Sequence, residues 1–213
     1  MAESKTIGPW ERIVASPTTG FKDYFDREEE YLKRNVSHWA RVLEIGCGSG
    51  RSLKTLSDIS EHVYGIDNDQ HAVDLCLENL QDKCNVEVLY RDGERTGFPD
   101  GALDVVFIGL TYSNFGDSRD EILSETHRIL CEGGKLIVSA YNEDALEARA
   151  EVYELYAPDR FEHVGNGKFV LGGGYVSEQF TGDQFRGQLE DNGFRVLHSD
   201  KTKIANIMQA WKR

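Results

Sequence analysis

The sequence is poor in several features that define whole classes of protein. It has no apolar run approaching the roughly 18 residues of a membrane span, and its first residues lack the apolar core of a signal peptide. It contains only four Pro and shows no low-complexity tract or repeat period, which argues against a linker-rich, disordered or solenoid protein. We therefore expect a single cytoplasmic domain over residues 1–213.

Cysteine and basic residues are also scarce. Four cysteines, none in a C-x-x-C pair, favour reduced structural thiols over zinc or disulfides. Lys and Arg number 24 against 37 Asp and Glu, for a formal net charge of -13. That charge would repel a phosphate backbone, and no basic run gathers positive charge on one face, so we expect no nucleic-acid partner.

Apolar runs of strand length alternate with segments of helical period from residue 41 onward. The pattern predicts strands at 41–45, 62–67, 86–90, 102–110 and 135–140, with helices between them. Ser118 with Glu121 forms a predicted capping box for the last of these helices, and Gly133 and Gly134 are predicted to end it. Residues 194–199 and 205–212 read as an antiparallel closing pair. The alternation predicts an α/β fold, with a mostly parallel sheet covered by helices on both faces.

Two segments lie outside this alternation. Residues 1–38 are predicted to form a helical cap whose buried face includes Tyr24 and Glu28. Residues 141–180 are predicted as a lid or acceptor insertion, with a helix near 143–157 and then either glycine-turned strands or a flap. Thr181 with Gln184 predicts a second capping box, which returns the chain to the main alternation.

The stretch V-L-E-I-G-C-G-S-G (42–50) ends a strand and enters a helix through three glycines. Gly46 permits a tight turn, and Gly48 and Gly50 let backbone approach a ligand where a Cβ would clash. A dinucleotide fingerprint needs glycine at position 51, which is Arg51. Glu44 would repel a pyrophosphate and attract an ammonium or sulfonium. The loop therefore predicts a positively charged ligand without a pyrophosphate.

Two further acids follow predicted strands. Asp67 ends the second strand, where a carboxylate can accept both hydroxyls of a ribose, although Asp67 or its neighbours Asn68 and Asp69 can equally cap the next helix. Asp92 follows the third strand, where it can accept from an adenine amine or simply form an Asp-Gly turn. The carboxyl ends of successive parallel strands share one crevice, so these acids are expected to converge there.

With these motifs in order, the sequence resembles the class I, seven-stranded, Rossmann-like S-adenosylmethionine-dependent methyltransferases of the methyltransferase domain 11/25 type. The resemblance begins near residue 40 and covers most of the remaining chain. It implies a doubly wound seven-stranded sheet in three layers (α/β/α) with an antiparallel last strand, and S-adenosylmethionine as the methyl donor, with S-adenosylhomocysteine as product.

The resemblance also implies roles for individual residues. The methionine end of S-adenosylmethionine would contact Gly46, Cys47, Gly48 and Gly50. Glu44 would support this loop and the ammonium group of the cofactor. Ribose would meet Asp67 and Asn68, and adenine would meet Asp92 and Gly93. Gly109 and Leu110 would flank the sulfonium, and Tyr24 would contact the cofactor carboxylate.

Departures from the family's patterns narrow the acceptor class. T-Y-S-N (111–114) replaces the N-P-P-Y-like tetrapeptide of enzymes that methylate adenine or glutamine nitrogens, so that class is not expected. Asp117 lies several residues beyond the fourth strand, so the carboxylates of a magnesium-dependent enzyme are missing and no metal is predicted.

His163 and Tyr112 are the candidate catalytic residues, with an exposed loop position as the alternative for His163. Acceptor-pocket candidates are Tyr112, Asn114, Tyr141, Asn142, Tyr175 and Phe180. Seven acids and two arginines over residues 143–162 favour an amine or otherwise cationic acceptor. Three hypotheses remain open: N- or O-methylation of a small molecule by in-line displacement, methylation of a protein or peptide, and a non-catalytic S-adenosylmethionine-binding partner subunit.

Overall fold

The computed structural model describes residues 8–157, 161–172 and 175–213. The helices are α1 (Pro9–Ala15), α2 (Thr19–Asn35), α3 (Arg51–Ile59), α4 (Gln70–Asn79), α5 (Arg119–Ile129), α6 (Leu146–Tyr156) and α7 (Gly182–Asp191), with 3-10 turns at Leu110–Asn114 and Gly116–Ser118. The strands are β1 (Arg41–Ile45), β2 (His62–Asp67), β3 (Val86–Tyr90), β4 (Leu103–Ile108), β5 (Leu130–Asn142), β6 (Phe161–Gly165), β7 (Lys168–Leu171), β8 (Val176–Ser177), β9 (Gln179–Phe180), β10 (Phe194–Lys201) and β11 (Ala205–Lys212).

Seven strands form the main path of the large sheet, in the order β10-β11-β5-β4-β1-β2-β3. Strands β1 to β5 run parallel, and β11 lies antiparallel to both β5 and β10. The short strand β9 adds a parallel pairing to the end of β5. The predicted mostly parallel sheet with an antiparallel last strand is confirmed.

Both faces of the sheet are buried, because successive side chains on a strand point to opposite faces. On β1, Val42 belongs to one apolar cluster and Leu43 to the other. The first cluster contains Leu53 of α3, and the second contains Phe185 of α7. Helices therefore cover the sheet on both sides, as the near-continuous apolar strands predicted.

Two predicted details at the ends of α5 are wrong. Ser118 makes no side-chain cap bond, because it ends a 3-10 turn with ψ near 1° instead of the extended backbone that a capping residue needs. The strand after α5 begins at Leu130, five residues earlier than predicted, and Gly133 and Gly134 lie inside it. The capping box at Thr181 and Gln184 is confirmed.

Residues 161–177 contain a separate three-stranded antiparallel sheet, ordered β6-β7-β8. Strands are one of the two predicted alternatives for this segment, and β6 and β7 are joined by a turn at Asn166 and Gly167, both with positive φ. Among the predicted lid charges, Asp159 and Arg160 lie outside the described residues. Within the described ranges, no helix has the length and apolar character needed to cross a membrane.

Candidate functional site

A cavity of about 530 Å³ opens at the carboxyl ends of the parallel strands. Its floor comes from the carboxyl ends of β1, β2, β3 and β4 and the loops that follow them, and its cover comes from α1, the end of β5 and the segment after β5. The first group of lining residues comprises Gly46, Gly48, Asp67, Asn68, Asp69, Arg91, Asp92, Gly93, Glu94, Leu110, Thr111 and Asn114. The second comprises Trp10, Glu11, Ile13, Tyr141, Tyr153, Leu171 and Tyr175.

The three glycines after β1 serve different purposes. Gly46 has φ +75°, and a Cβ there would lie 2.3 Å from the Thr111 side chain. Gly48 has φ +52°, faces Trp10 across the cavity wall and donates its N-H to Asp67. A Cβ on Gly50 would lie 2.8 Å from Sγ of Cys76 on α4, so this glycine permits helix packing and does not line the cavity.

We predict that Gly46→Ala lowers the free energy of unfolding by about 2 kcal/mol more than Gly133→Ala does. The two glycines have nearly the same φ, +75° and +73°, but a Cβ on Gly133 meets nothing within 4 Å. Gly133→Ala therefore measures the cost of the left-handed backbone, about 1 to 2 kcal/mol, and Gly46→Ala adds the clash with Thr111. Urea denaturation of both variants provides the comparison, and equal losses would contradict the prediction.

Asp67 is held at the centre of the cavity floor. One carboxylate oxygen accepts from the Gly48 N-H at 2.9 Å and the other from the Asp69 N-H at 3.0 Å. Burial raises the pKa of Asp67, and the backbone donors act against that shift. Asp69 caps α4 by accepting from the His71 N-H at 2.9 Å. Asp69 is therefore the residue that caps α4, so Asp67 does not act as the helix cap, which was its predicted alternative role.

Asp92 forms an Asx turn at the cavity rim, where its carboxylate accepts from the Glu94 N-H at 3.1 Å. Its side chain is exposed, and Asp92 and Gly93 both line the cavity. The turn and the cavity position occur together, so the two predicted roles for Asp92 are compatible.

Behind the glycine loop lies a buried polar cluster made of Tyr24, Glu28, Glu44, Arg51 and Ser139. The Tyr24 hydroxyl donates to Glu28 and lies 2.6 Å from the Ser139 hydroxyl, and Arg51 donates to the other Glu28 oxygen. Tyr24 and Glu44 were expected to contact a ligand, but both are almost fully buried and neither lines the cavity. Tyr24 lies on the buried face of α2 and Glu44 lies on strand β1 in the middle of the sheet, so both side chains point into the interior.

Burial raises the pKa of Glu44 well above its usual value, with the neighbouring Glu28 adding to the shift and Arg51 opposing it. Its Oε2 atom has no hydrogen-bond partner. A raised folded-state pKa means that the native protein holds a proton that the unfolded chain releases near pH 4.5. Its stabilising contribution is complete below that pH and is lost as the pH rises through the folded-state pKa.

We predict that Glu44→Gln raises the free energy of unfolding by about 1 to 3 kcal/mol at pH 8 and has little effect at pH 4. Glutamine removes the charge whose burial becomes costly as the pH rises. Urea denaturation at both pH values tests this, with the exposed Glu87→Gln, on β3, as the matched control. A gain that is the same at both pH values would contradict the assignment of the raised pKa.

Neither candidate catalytic residue lies on the cavity wall. Tyr112 is fully buried, donates to Oε1 of Gln188 at 2.8 Å and packs against Phe185. His163 is exposed, as in the predicted alternative, but it lies on strand β6 and not in a loop, with its ring 4.9 Å from that of Phe169. Tyr112 follows β4 and His163 follows β5 in the chain. The path of the chain after each of these strands decides whether the side chain reaches the cavity, and the local sequence pattern does not predict that path.

The other predicted site residues divide in the same way. Asn114, Tyr141 and Tyr175 line the cavity. Cys47, Gly109, Asn142 and Phe180 do not line it. Asn142, for example, is buried and donates to the Thr202 carbonyl at 3.0 Å.

The sequence predicted an N-terminal helical cap over residues 1–38, but it did not identify the residues of α1 that cover the cavity. Trp10, Glu11 and Ile13 all line the cavity. The Gly-Pro pair that starts α1 is a helix-start signal, since proline is favoured at the first helical position. That signal places a helix but does not say which surface the helix covers.

The predicted acidic character of the lid is absent from the cavity. Glu143 and Asp144 both pair with Lys201 at 2.8 and 2.7 Å, and the other described acids of this segment, Glu147, Glu151, Glu154 and Glu162, are exposed. None of the six lines the cavity. The described acids of the lid therefore face solvent and do not support the prediction of a cationic acceptor.

Comparison with known proteins points to one family. A family model described as a methyltransferase domain matches residues 43–138. The chain is 28% identical over 181 residues to the ubiquinone/menaquinone biosynthesis C-methyltransferase of Vibrio parahaemolyticus, covering 78% of this chain and 67% of that protein. The match to the equivalent protein of Vibrio campbellii spans only 47% of its length.

Solved structures share the fold at low sequence identity. An S-adenosylmethionine-dependent methyltransferase from Aquifex aeolicus aligns over 97% of this chain and all of its own, with a TM-score of 0.71 and 19% identity. The 1,6-didemethyltoxoflavin-N1-methyltransferase of Burkholderia thailandensis, solved with bound 1,6-didemethyltoxoflavin and S-adenosylhomocysteine, aligns over 94% of this chain and 81% of its own. Its TM-score is 0.70 and its identity 15%.

Proposed function

We propose that the chain is a class I, Rossmann-like S-adenosylmethionine-dependent methyltransferase and that it transfers the methyl group to a small-molecule acceptor. One observation carries the proposal. A single cavity joins the bare backbone of Gly46 and Gly48, the carboxylates of Asp67 and Asp92, and a wall of tyrosines on the opposite side. Its volume of about 530 Å³ lies within the range of small-ligand sites, roughly 300 to 1,000 Å³.

The cofactor fits the floor of this cavity by chemistry. We propose that Asp67 and Asn68 bind the ribose hydroxyls, since Asp67 already faces the cavity and keeps unused lone pairs. Asp92 and Gly93 are proposed to meet adenine at the rim. Gly46 and Gly48 would pass the methionine end. Trp10 of α1 would cover the cofactor from above, in place of the direct contact first expected from Tyr24.

Bound S-adenosylmethionine supplies an electrophilic methyl group on a positively charged sulfur. The residues of this chain would mainly align the acceptor with that methyl and exclude water, and orientation of this kind can contribute on the order of 7 to 11 kcal/mol. Leu110, Thr111 and Asn114 lie between the cofactor floor and the tyrosine wall, so we propose that they position the acceptor.

The sequence predicts nitrogen or oxygen as the acceptor atom, and the names of the relatives add carbon as a third candidate. The Vibrio parahaemolyticus protein is named a C-methyltransferase of ubiquinone and menaquinone biosynthesis. Carbon methylation of an aromatic ring is therefore a second candidate reaction for this chain. It requires the same alignment of acceptor and methyl, so the proposed roles of the cavity residues are the same for both reactions.

Two measurements test the proposed function. Calorimetry should show binding of S-adenosylmethionine and S-adenosylhomocysteine, whereas tight NAD binding without either would contradict the family-based proposal. Incubation with labelled-methyl S-adenosylmethionine and a cell extract, later split by size, should place the label in the small-molecule fraction. Label in protein would favour the peptide hypothesis, and cofactor binding without any transfer would favour the partner-subunit hypothesis.

A further inference from the structure

The lid contains one buried positive charge without a negative partner. Arg149 of α6 is fully buried. Its guanidinium donates to neutral oxygens only, on Gly167, Ser177 and Gln179, at 2.6 to 3.1 Å. Its Nε atom has no partner, and no carboxylate pairs with Arg149 anywhere in residues 8–157, 161–172 and 175–213. Burial of an uncompensated charge is costly, so its retention calls for a reason.

The arginine sits directly behind the acceptor side of the cavity. Its guanidinium carbon lies 4.6 Å from the centre of the Tyr141 ring and 4.6 Å from that of Phe169. Tyr141 is itself part of the cavity wall. The positive charge is therefore one ring thickness from the space proposed for the acceptor.

A chain of hydroxyl groups also links Arg149 to the cavity. Arg149 donates to the Ser177 hydroxyl at 2.9 Å, and the Ser177 hydroxyl lies 2.9 Å from the Tyr153 hydroxyl. In the contact between Ser177 and Tyr153 either hydroxyl can donate. When Ser177 donates, the Tyr153 proton is left for a second acceptor, and Tyr153, which is also hydrogen-bonded to Tyr141, lines the cavity beside it.

We propose that this side of the cavity binds an aromatic hydroxyl compound as its anion, with the ionised oxygen towards Tyr153 and Tyr141 and the charge of Arg149 behind them. The proposal rests on the proposed function and names its acceptor class. Aromatic rings on the wall suit a planar ligand. Beside Tyr141 and Tyr153 the wall offers this oxygen single hydroxyl donors, whereas a carboxylate is best matched by a bidentate guanidinium. The guanidinium of Arg149 is engaged within the lid, and Arg91 belongs to the cavity floor after β3.

Ionisation of the acceptor creates the nucleophile. The anion places electron density on its oxygen and on the ring carbons ortho and para to it. Attack by the oxygen or by one of these carbons forms a bond to the methyl carbon, while the methyl-sulfur bond breaks and its electron pair passes to sulfur. The positive sulfonium and the negative acceptor both become neutral. With carbon as nucleophile, the ring carbon then loses its proton to water. Arg149 is a positioning residue in this scheme, because it acts through the two tyrosines and Ser177.

The test uses a matched set of nitroaromatic probes on the whole protein saturated with S-adenosylhomocysteine: 4-nitrophenol, 4-nitroanisole, 4-nitrobenzoate and 4-nitrobenzylamine. The phenolate of 4-nitrophenol is yellow, so its absorbance reports the ionised fraction of bound probe. We expect the phenolate to bind about tenfold more tightly than the neutral phenol, which lowers the pKa of the bound phenol by about one unit, and the anisole serves as an uncharged analogue that cannot ionise. Arg149→Met should abolish this preference without weakening the anisole.

Two further variants separate charge from folding. Ser177→Ala keeps the arginine and breaks the hydroxyl chain, so the pKa of bound 4-nitrophenol should rise part of the way towards its free value. Arg195→Met removes an exposed charge on β10 and should leave that pKa unchanged. Retained S-adenosylhomocysteine binding shows that each variant is folded.

Several results would overturn the proposal. These are absence of phenolate binding at millimolar concentration, tighter binding of the benzylammonium or the benzoate, and an unchanged phenolate preference in folded Arg149→Met and Ser177→Ala. Failure of the wild-type protein to bind S-adenosylhomocysteine is a different outcome, since it would contradict the proposed function itself.

Discussion

Asp67→Ala is expected to weaken binding of S-adenosylhomocysteine by about 100-fold or more and to abolish detectable methyl transfer. Hydrogen bonds to a charged group contribute about 1.5 to 3 kcal/mol each, and the proposed site uses this carboxylate for two ribose hydroxyls. The variant also releases the Gly48 N-H, which Asp67 holds at 2.9 Å, so the glycine loop loses its anchor on the cavity floor. Calorimetric titration with S-adenosylhomocysteine measures the effect.

A charge control makes this result specific. Asp58→Ala removes an exposed acid at the far end of α3, where it pairs with Lys83, and should leave cofactor affinity unchanged. Asp67→Asn keeps an oxygen acceptor for one hydroxyl and should retain part of the affinity. Unchanged binding in a folded Asp67→Ala variant would remove Asp67 from the proposed site.

The largest loss of stability is expected from Arg51→Met, at about 3 to 5 kcal/mol near neutral pH. Arg51 is the only cation hydrogen-bonded to Glu28 in the part of the chain that the structure describes, and Glu28 is 1% exposed. Removing one partner of a buried ion pair leaves the other charge without compensation, which is the costly case. Glu44, close to both, adds a second acid to the same interior.

Arg41→Met, at the first residue of β1, provides the control. Arg41 also pairs with a carboxylate, Asp104 at 3.0 Å, but both side chains are more than one-third exposed. Water screens that pair, so Arg41→Met should cost about 1 kcal/mol or less. Urea denaturation of both variants gives the difference. The double variant Glu28→Gln with Arg51→Met should recover part of the loss, and equal effects of Arg41→Met and Arg51→Met would contradict the assigned role of burial.

Much of the fold could be predicted because its signals are local. Strand β4 reads as a short apolar run between turn residues, and α4 shows apolar residues three and four apart. These periods are set by backbone geometry, so they survive without knowledge of any distant contact. The capping box at α7 was correct for the same reason. The one at α5 was wrong because a preceding 3-10 turn changed the backbone of Ser118.

The candidate site could be predicted where residues follow strand ends. Asp67, Asp92 and Gly48 line one cavity because parallel strands deliver their carboxyl ends to the same edge of a sheet. Tyr112 and Glu44 show where this reasoning stops. Both lie within or next to the expected motifs, yet their side chains point into the interior, since helix α7 and helix α2 pack against them. Proximity in sequence did not determine which way these side chains face.

The sequence by itself determined the layered α/β architecture, the order of its motifs and the edge of the sheet where a nucleoside would bind. These follow from hydrophobic period, glycine and strand order, which are properties of short segments. The tertiary structure decided what surrounds that edge. Many acids of residues 143–162 suggested a negative acceptor site, but the described ones face solvent, while Arg149 is buried behind Tyr141. The local charge of a site depends on which side chains are turned inward, and that is set by contacts such as those from Arg149 to Ser177 and Gln179, about thirty residues away in sequence.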